Sequence, residues 1–237
     1  MFRLLIAASG SKANATLVEL NGRRILIDCG LSYKALSEAT DVSKIDAVFV
    51  THSHSDHIKG LAVLRKHTDV PFYSAVDIDG CIKMTEDVTV SGMTVKSFGC
   101  CHDVPCVGYR IEAEGKAVAV ATDTGCITPD TLAGLEGADT VMLECNHDVD
   151  MLRYGPYPMS LKERILAKNG HLSNPDCAKV LCYLCNGGTK RAVLAHLSET
   201  NNTPLCAKKA VRDELDKYGF CDKIEVVVAQ ALTEIEI

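Results

Sequence analysis

Hydrophobic positions fall in short runs broken by turn residues, and the first runs are of strand length. Phe2–Ala8 and Ala15–Leu20 read as strands, and Asn21-Gly22 marks a two-residue hairpin returning through Arg23–Asp28. Ala47–Val50 is a short apolar strand, Asp56–Lys66 a helix after it, and Pro71–Ala75 another strand. Further on, Thr94–Phe98, Val107–Ala113 and Ala117–Thr122 read as strands, the last two joined through Glu114-Gly115. Thr140–Glu144 and Ala192–Ala195 are apolar strands, and Ile224–Ala229 closes the sheet. Helices are expected at Ser160–Lys168, Pro175–Cys185 and Pro204–Tyr218. Asn174 as cap, Pro175 at the first helical position and Gly187-Gly188 as a stop bracket the second of these. Two β-rich halves, each with helices alongside, predict an α/β (α+β) fold built as a four-layer αββα sandwich. No repeat, low-complexity tract or Pro/Ser-rich linker divides the chain, so residues 1–237 are expected to form a single domain.

Composition narrows the class. Of 237 residues, 47% are hydrophobic and 24% charged, which excludes wholesale disorder. There is no run of about 18 apolar residues, so no membrane span is expected. The apolar start at Met1–Ala8 is too short for a signal peptide and reads as the first strand. A cytoplasmic location follows as the expectation, with the 12 cysteines as free thiols. The net charge of −6 argues against nucleic-acid binding by bulk charge. Locally, Met151–Gly170 sets Arg153, Lys162, Arg164 and Lys168 against one acid, Glu163, which suits either a nucleic-acid backbone or a solvated helix face. Tyr154 and Tyr157 flank a Gly-Pro turn there and either stack on bases or pack the loop.

Chemistry concentrates at Thr51-His52-Ser53-His54-Ser55-Asp56-His57, which holds three of the eight histidines just after a strand. His52 and His54 are two apart, so an extended loop aims both at one point. Asp56 and His57 open the next helix and face a second point nearby. Imidazole nitrogen and carboxylate oxygen suit zinc first, and manganese or iron with less preference. Cys182-Tyr183-Leu184-Cys185 is a lone CxxC inside an apolar helix and reads as core packing. His67 reads as surface.

The His-x-His-x-Asp-His run resembles the hallmark of the metallo-β-lactamase superfamily. Cys101-His102-Asp103, Thr122-Asp123-Thr124-Gly125 and Leu194-Ala195-His196-Leu197-Ser198 resemble its later segments. The resemblance implies the metallo-β-lactamase fold and two divalent metal ions, zinc by default and manganese as alternative. One metal would take His52, His54 and His102, and the other Asp56, His57 and His196, with Asp123 and a hydroxide between them. Within the superfamily, Ala8-Ser9-Gly10-Ser11, Glu144-Cys145-Asn146-His147-Asp148, Gly155-Pro156-Tyr157-Pro158, Gly170-His171-Leu172-Ser173-Asn174 and His196-Leu197-Ser198-Glu199 resemble the YycJ (WalJ) family. That family implies a cytoplasmic phosphodiesterase acting on DNA, 5′-to-3′ exonuclease-like, with the hydroxide as nucleophile. The early loop departs from the family's Gly-Ser-x-Gly-Asn by carrying Ala13, and alanine does not adopt positive φ cheaply.

The chemistry of paired metals gives Asp56 a share of the nucleophile's proton while it coordinates. The resemblance gives His171 the leaving group, the alternative being a helix-entry residue before a Ser173 or Asn174 cap. Glu144 or Asp148 would orient a histidine. Ser11, Lys12, Asn14, His147, Arg153 and Ser173 are the candidate substrate contacts. DNA is the expected partner, with no membrane and no obligate protein partner. The rivals are a small cyclic phosphodiesterase of the PhnP type, whose Asp103-x-Pro105-x-x-Gly108-Tyr109-Arg110 pattern this chain shares, and a glyoxalase-type thioester hydrolase. The non-enzyme rival is a nucleic-acid-binding scaffold, which a complete set of seven ligand-type residues disfavours. Between Asp123 and His196 there is too little chain for the inserted domain of the β-CASP nucleases.

Overall fold

The computed structural model describes residues 1–237. In chain order the first half runs β1 (Phe2–Ala8), β2 (Ala15–Leu20), β3 (Arg23–Ile27), α1 (Tyr33–Ala39), β4 (Ile45–Phe49), α2 (Ser55–Ile58), α3 (Leu61–Leu64), β5 (Phe72–Ser74) and β6 (Ile82–Lys83). The second runs β7 (Val88–Val90), β8 (Met93–Cys100), β9 (Cys106–Ala113), β10 (Lys116–Ala121), α4 (Pro129–Leu135), β11 (Thr140–Glu144), α5 (Val149–Tyr154) and α6 (Met159–Leu166). It continues with α7 (Asn174–Asn186), β12 (Arg191–Ala195), α8 (Pro204–Lys217), β13 (Glu225–Val228) and β14 (Thr233–Glu236). Two seven-stranded mixed sheets result, ordered β14-β1-β2-β3-β4-β5-β6 and β13-β12-β11-β10-β9-β8-β7. The last strand thus leaves the sheet of its neighbours in sequence and pairs with β1.

Side-chain alternation builds the layers. In β1, Leu4 and Ile6 enter the core between the sheets, while Leu5 and Ala7 face out towards Leu36 of α1 and Leu61 and Leu64 of α3. In β10, Val118 and Val120 point between the sheets. Ala117, Ala119 and Ala121 lie on the other face, where small side chains let α4, α7 and α8 approach. Ala207, Val211 and Leu215 repeat every four residues on α8 and supply the stripe that covers this face. Both halves of the CxxC, Cys182 and Cys185, are buried in the same layer. The sequence of layers is helix, sheet, sheet, helix, the expected sandwich.

Predicted strands match within a few residues. Asn21-Gly22 and Glu114-Gly115 turn with positive φ at both positions, as a primed hairpin turn requires, and Ser91-Gly92 is a third such turn. The helix expected over Asp56–Lys66 is instead two short pieces broken at Lys59-Gly60. The backbone of Gly60 passes so close to Leu31 and Cys29 that a Cβ would collide with them. Its N–H donates to Cys29 O at 2.7 Å, a tertiary bond that competes with the helical one. The cap of α7 is Ser173 rather than Asn174, because Ser173 Oγ accepts from Asp176 N at 3.3 Å. Asn174 turns its amide inward to Asn202. α1, α4, α5, β6, β7 and β14 were not expected from the pattern. No helix is long and apolar enough to cross a membrane.

Candidate metal centre

β3 and β4 are parallel, as are β10, β11 and β12, so in each sheet these strands end on one side. That is the side on which open α/β sheets bind ligands. His52 and His54 follow β4, Asp56 and His57 lie in α2, His102 follows β8, Asp123 follows β10, Glu144 ends β11 and His196 follows β12. All the residues expected to hold metal therefore meet at one rim. Their ligand-type atoms form overlapping groups within 4.8 Å, comprising His52, His54 and His102; Asp56, His57 and His196; and His52, His57 and Asp123.

The backbone is bent to aim them. Asp28, Asp123 and His196 each sit at φ between 53° and 59°, within two residues of the ends of β3, β10 and β12. Non-glycine residues enter this region at a cost of about 1–3 kcal/mol, so the surroundings must hold them there. Ser9 Oγ accepts from His196 N at 2.9 Å, and Glu144 Oε2 accepts from Thr124 N at 2.9 Å. Gly30 runs so close to the Asp56 carbonyl and Asn14 N that no Cβ fits.

Each imidazole but one has a nitrogen anchored by the protein. His57 Nδ1 donates to Asp28 Oδ2 at 2.7 Å, His196 Nδ1 to Glu144 Oε1 at 2.8 Å, and His102 Nδ1 to Gly170 O at 3.2 Å. Thr51 Oγ1 donates to Asp28 Oδ2 at 2.8 Å and receives His52 Nδ1 at 3.0 Å. His54 is the exception, with Nε2 3.3 Å from Asp103 and Nδ1 3.2 Å from His102 Nε2. This is the arrangement in which an outer acceptor fixes the tautomer and leaves the inner nitrogen for a metal. The inner atoms are the ones left over. His52 Nε2, His196 Nε2 and Asp123 Oδ2 are buried without a hydrogen-bond partner, although Asp123 Oδ2 lies 3.1 Å from His57 Nε2. Buried orphan acceptors are rare and costly. Three at one point, with neutral-imidazole and carboxylate chemistry, fit divalent cations.

The carboxylates make the pocket favour positive charge, which a proton supplies when no metal is bound. Burial pulls the His196 imidazolium down, but Asp123, Asp56 and Glu144 outweigh it and push its pKa up to about 10. Burial pushes Asp56 up, and His196 and His57 more than reverse this. Burial, with the neighbouring His57, lowers His52 to about 3 and keeps it neutral, the form that ligates.

Glu144 is the least exposed acid at the rim and carries the most bonds. Its Oε1 accepts from both His196 Nδ1 and His171 Nδ1 at 2.8 Å, and its Oε2 accepts from Thr124 N and Leu172 N. His171 is thereby turned with Nε2 outward. Burial lowers its pKa, but Glu144 raises it more, so the net shift is upward. His171 lines a cleft of about 200 Å³ together with His102, Ser11, Tyr157, Arg164 and Ser198.

The other expected substrate contacts lie elsewhere. Asn14 is buried, and its Nδ2 contacts Asp56 Oδ2 at 3.1 Å and His57 Nε2 at 2.9 Å, so it braces the centre. Ala13 has no positive φ, so the departure in the early loop strains nothing. Lys12 is paired with Glu199 in solvent, and Arg153 with Asp150. Ser173 is spent on capping α7. His147 is 1% exposed with both ring nitrogens unpartnered, out of reach of a substrate. His67 is exposed, as expected, and stacks on Tyr33. Asp28, Thr51 and Asn14 as braces went unrecognised in sequence. For Asp28 and Thr51 the one signal available was a polar residue just past an apolar strand; Asn14, ahead of β2, had none.

Comparison with known proteins agrees with this geometry. Residues 9–96 match a model described as the metallo-beta-lactamase superfamily, and residues 74–197 match a beta-lactamase superfamily domain. The chain is 35% identical to exodeoxyribonuclease YycJ of Bacillus anthracis, over 91% of this chain and 89% of that one. It is 34% identical to exodeoxyribonuclease WalJ of Streptococcus pneumoniae, over 90% and 88%. Among solved structures it is similar to the metallo-β-lactamase fold protein YhfI from Bacillus subtilis, with a TM-score of 0.79 at 17% identity, covering 100% of this chain and 99% of that one. A diphosphatase of the PhnP family gives 0.69 at 17% identity, over 100% and 98%. By its motif residues, its fold and these relatives along nine-tenths of its length, the chain belongs to the metallo-β-lactamase superfamily.

Proposed function

We propose that this protein is a dinuclear metal-dependent phosphodiesterase that degrades DNA from a 5′ end. The observation that carries the reading is the set of orphaned inner atoms on His52, His196 and Asp123, the two imidazoles being held from behind by Thr51 and Glu144. His52, His54 and His102 would hold one ion, and Asp56, His57 and His196 the other, with Asp123 between them. Zinc is the first expectation and manganese the second. Two such ions supply an acidified water as nucleophile and Lewis-acid stabilisation of phosphoryl charge. DNA as the substrate class rests on the names of the YycJ and WalJ relatives.

The chain's own residues do the rest. Asn14 and Asp28 fix Asp56 and His57, so that the Asp56 carboxylate holds one orientation and accepts a proton at the rim. His171 Nδ1 is held against Glu144 Oε1 at 2.8 Å, and this carboxylate shifts the imidazole's pKa upward against burial, which favours the protonated ring. Facing the cleft, Nε2–H donates to the departing oxygen as negative charge builds on it. Glu144 serves both His171 and His196, so orientation of the acid and of a ligand is coupled through one buried carboxylate.

The test is hydrolysis of 5′-end-labelled duplex DNA by zinc- or manganese-loaded protein, with Asp56→Ala in parallel. Release of labelled mononucleotide by wild type and not by the variant is expected. Cleavage of bis(p-nitrophenyl) phosphate without any action on DNA would overturn the DNA reading, and equal DNA turnover by Asp56→Ala would overturn the mechanism.

A further inference from the structure

The cleft beside His102 and His171 has a volume of about 200 Å³. Ordinary ligand clefts measure about 300–1,000 Å³, so this smaller one has room for a terminal phosphate and part of its nucleotide rather than for a length of strand. Its cationic wall is Arg164, in the last turn of α6. Arg164 is not a loose surface residue. A Cβ on Gly170 would strike the carbonyls of Arg164 and Ile165, and His171 N donates to Ile165 O at 3.0 Å. The end of α6 is thus packed directly on the backbone that carries His171.

We propose that Arg164 is a second phosphate-binding group, which takes the phosphate one nucleotide away from the phosphate being cleaved. The cleft is then a subsite for a phosphorylated chain end. This rests on the nuclease reading above. Arg164 Nε and Nη2 both donate to one oxygen, Asp103 Oδ2, at 3.0 and 2.5 Å, which leaves Nη1 without a partner. Asp103 Oδ1 lies 3.3 Å from both His54 Nε2 and His102 Nε2. One carboxylate therefore links the guanidinium to the metal-ligand histidines and aims it at the cleft.

The pair with Asp103 is replaceable. The Arg164 side chain is 59% exposed, and exposed ion pairs contribute about 0–1 kcal/mol. A terminal phosphate carries about −1.5 to −2 charges against the carboxylate's one, and offers three oxygens to a guanidinium fork. Tyr157 on the same lining gives the sugar or base of that nucleotide a flat face. Arg153, Lys162 and Lys168 make the surrounding segment positive in an acidic protein, which favours an anion there over elsewhere on the surface.

The experiment uses deoxyadenosine dinucleotides bearing no terminal phosphate, a 5′ phosphate or a 3′ phosphate. In each the internal phosphate occupies the metal centre, so the terminal one reports on Arg164. Metal-loaded wild type is expected to prefer one phosphorylated form by at least about tenfold in kcat/KM, mainly through KM. A preference for the 5′-phosphorylated form is expected for action from a 5′ end, and a preference for the 3′-phosphorylated form overturns that polarity while leaving the subsite. Arg164→Ala is expected to lose the preference with its metal content unchanged, and Arg164→Lys to keep part of it. Cleavage of all three forms at equal rates by wild type, or an unchanged preference in Arg164→Ala, overturns the subsite alone. Loss of metal from Arg164→Ala overturns it too, since the residue would then act through Asp103. No cleavage of any dinucleotide, with bis(p-nitrophenyl) phosphate still hydrolysed, overturns the nuclease reading and the subsite with it.

Discussion

Glu144 shows how much a single buried side chain carries. Each of its oxygens accepts two donors, and those donors position an acid, a ligand and the strand ends beside them. Glu144→Gln keeps the volume but turns an amide N–H₂ towards either two imidazole N–H groups or two backbone N–H groups. Turnover or metal affinity should fall about 10–100-fold, as for other partners behind metal-ligand histidines. Steady-state kinetics with metal analysis on the same samples checks this. His147 makes the opposite case, because both of its ring nitrogens are buried without partners. Burial, aided by the cation of His171 against Glu144, lowers its pKa from 6.5 to about 4. The unfolded chain therefore binds the proton first as pH falls, and the stability from His147 is present above pH 6.5 and lost towards pH 4. About 2 kcal/mol should disappear between pH 7 and pH 5, and His147→Leu should remove that component of the slope in urea unfolding. At this scale His52, His54, Asp56 and His57 were legible because they crowd one short run, while His102, Asp123 and His196 stood out only through the resemblance of their segments to the superfamily's. The braces were not, because a buried Asn14 or Asp28 looks like any loop residue until the fold brings it behind an imidazole.

Short elements act here through where they end. The chain must leave β3, β10 and β12 in a left-handed bend to bring Asp28, Asp123 and His196 to one rim. Gly30 and Gly60 are needed where α2 is tied sideways to the segment after β3. Gly30→Ala would drive a methyl into the Asp56 carbonyl, and overpacking of this kind costs about 1–3 kcal/mol. It should also loosen Asp56 and lower metal occupancy, read by denaturant unfolding and elemental analysis. Most strands were legible, since alternation or an apolar run of strand length is a strong signal. Asp56–Lys66 misled because its apolar spacing is helical, while the break is imposed by tertiary bonds to Cys29. β14 escaped because Thr233-Glu234-Ile235-Glu236 is an edge strand with one inward side chain, Ile235. α4 and α5 do carry caps, at Thr128 and Asp148, but are too short for periodicity to reveal.

For the whole molecule, the centre straddles two sheets. His52, His54, Asp56 and His57 come from one, and His102, Asp123, Glu144 and His196 from the other. The packed layer between the sheets, with Leu4, Ile6 and Phe49 against Tyr109, Val118 and Met142, fixes their distance together with the cross-sheet bonds from Tyr109 OH to Val50 O and from His196 N to Ser9 Oγ. Each ion bound across that seam stabilises the folded state by mass action, by about 2.7 kcal/mol at a hundredfold excess over Kd. Chelation should therefore lower Tm by about 5–10 °C for each ion removed in a chain of this length, followed by calorimetry.

The most direct measurement is the number of divalent ions bound per chain, with bis(p-nitrophenyl) phosphate hydrolysis recorded on the same samples. Wild type and Asp123→Ala should be compared, because Asp123 is the one carboxylate placed between both histidine groups. Two ions per wild-type chain are expected, with fewer in the variant and hydrolysis at least about 100-fold slower. Wild type that binds no ion, or a variant with two ions and full activity, would contradict a dinuclear phosphodiesterase.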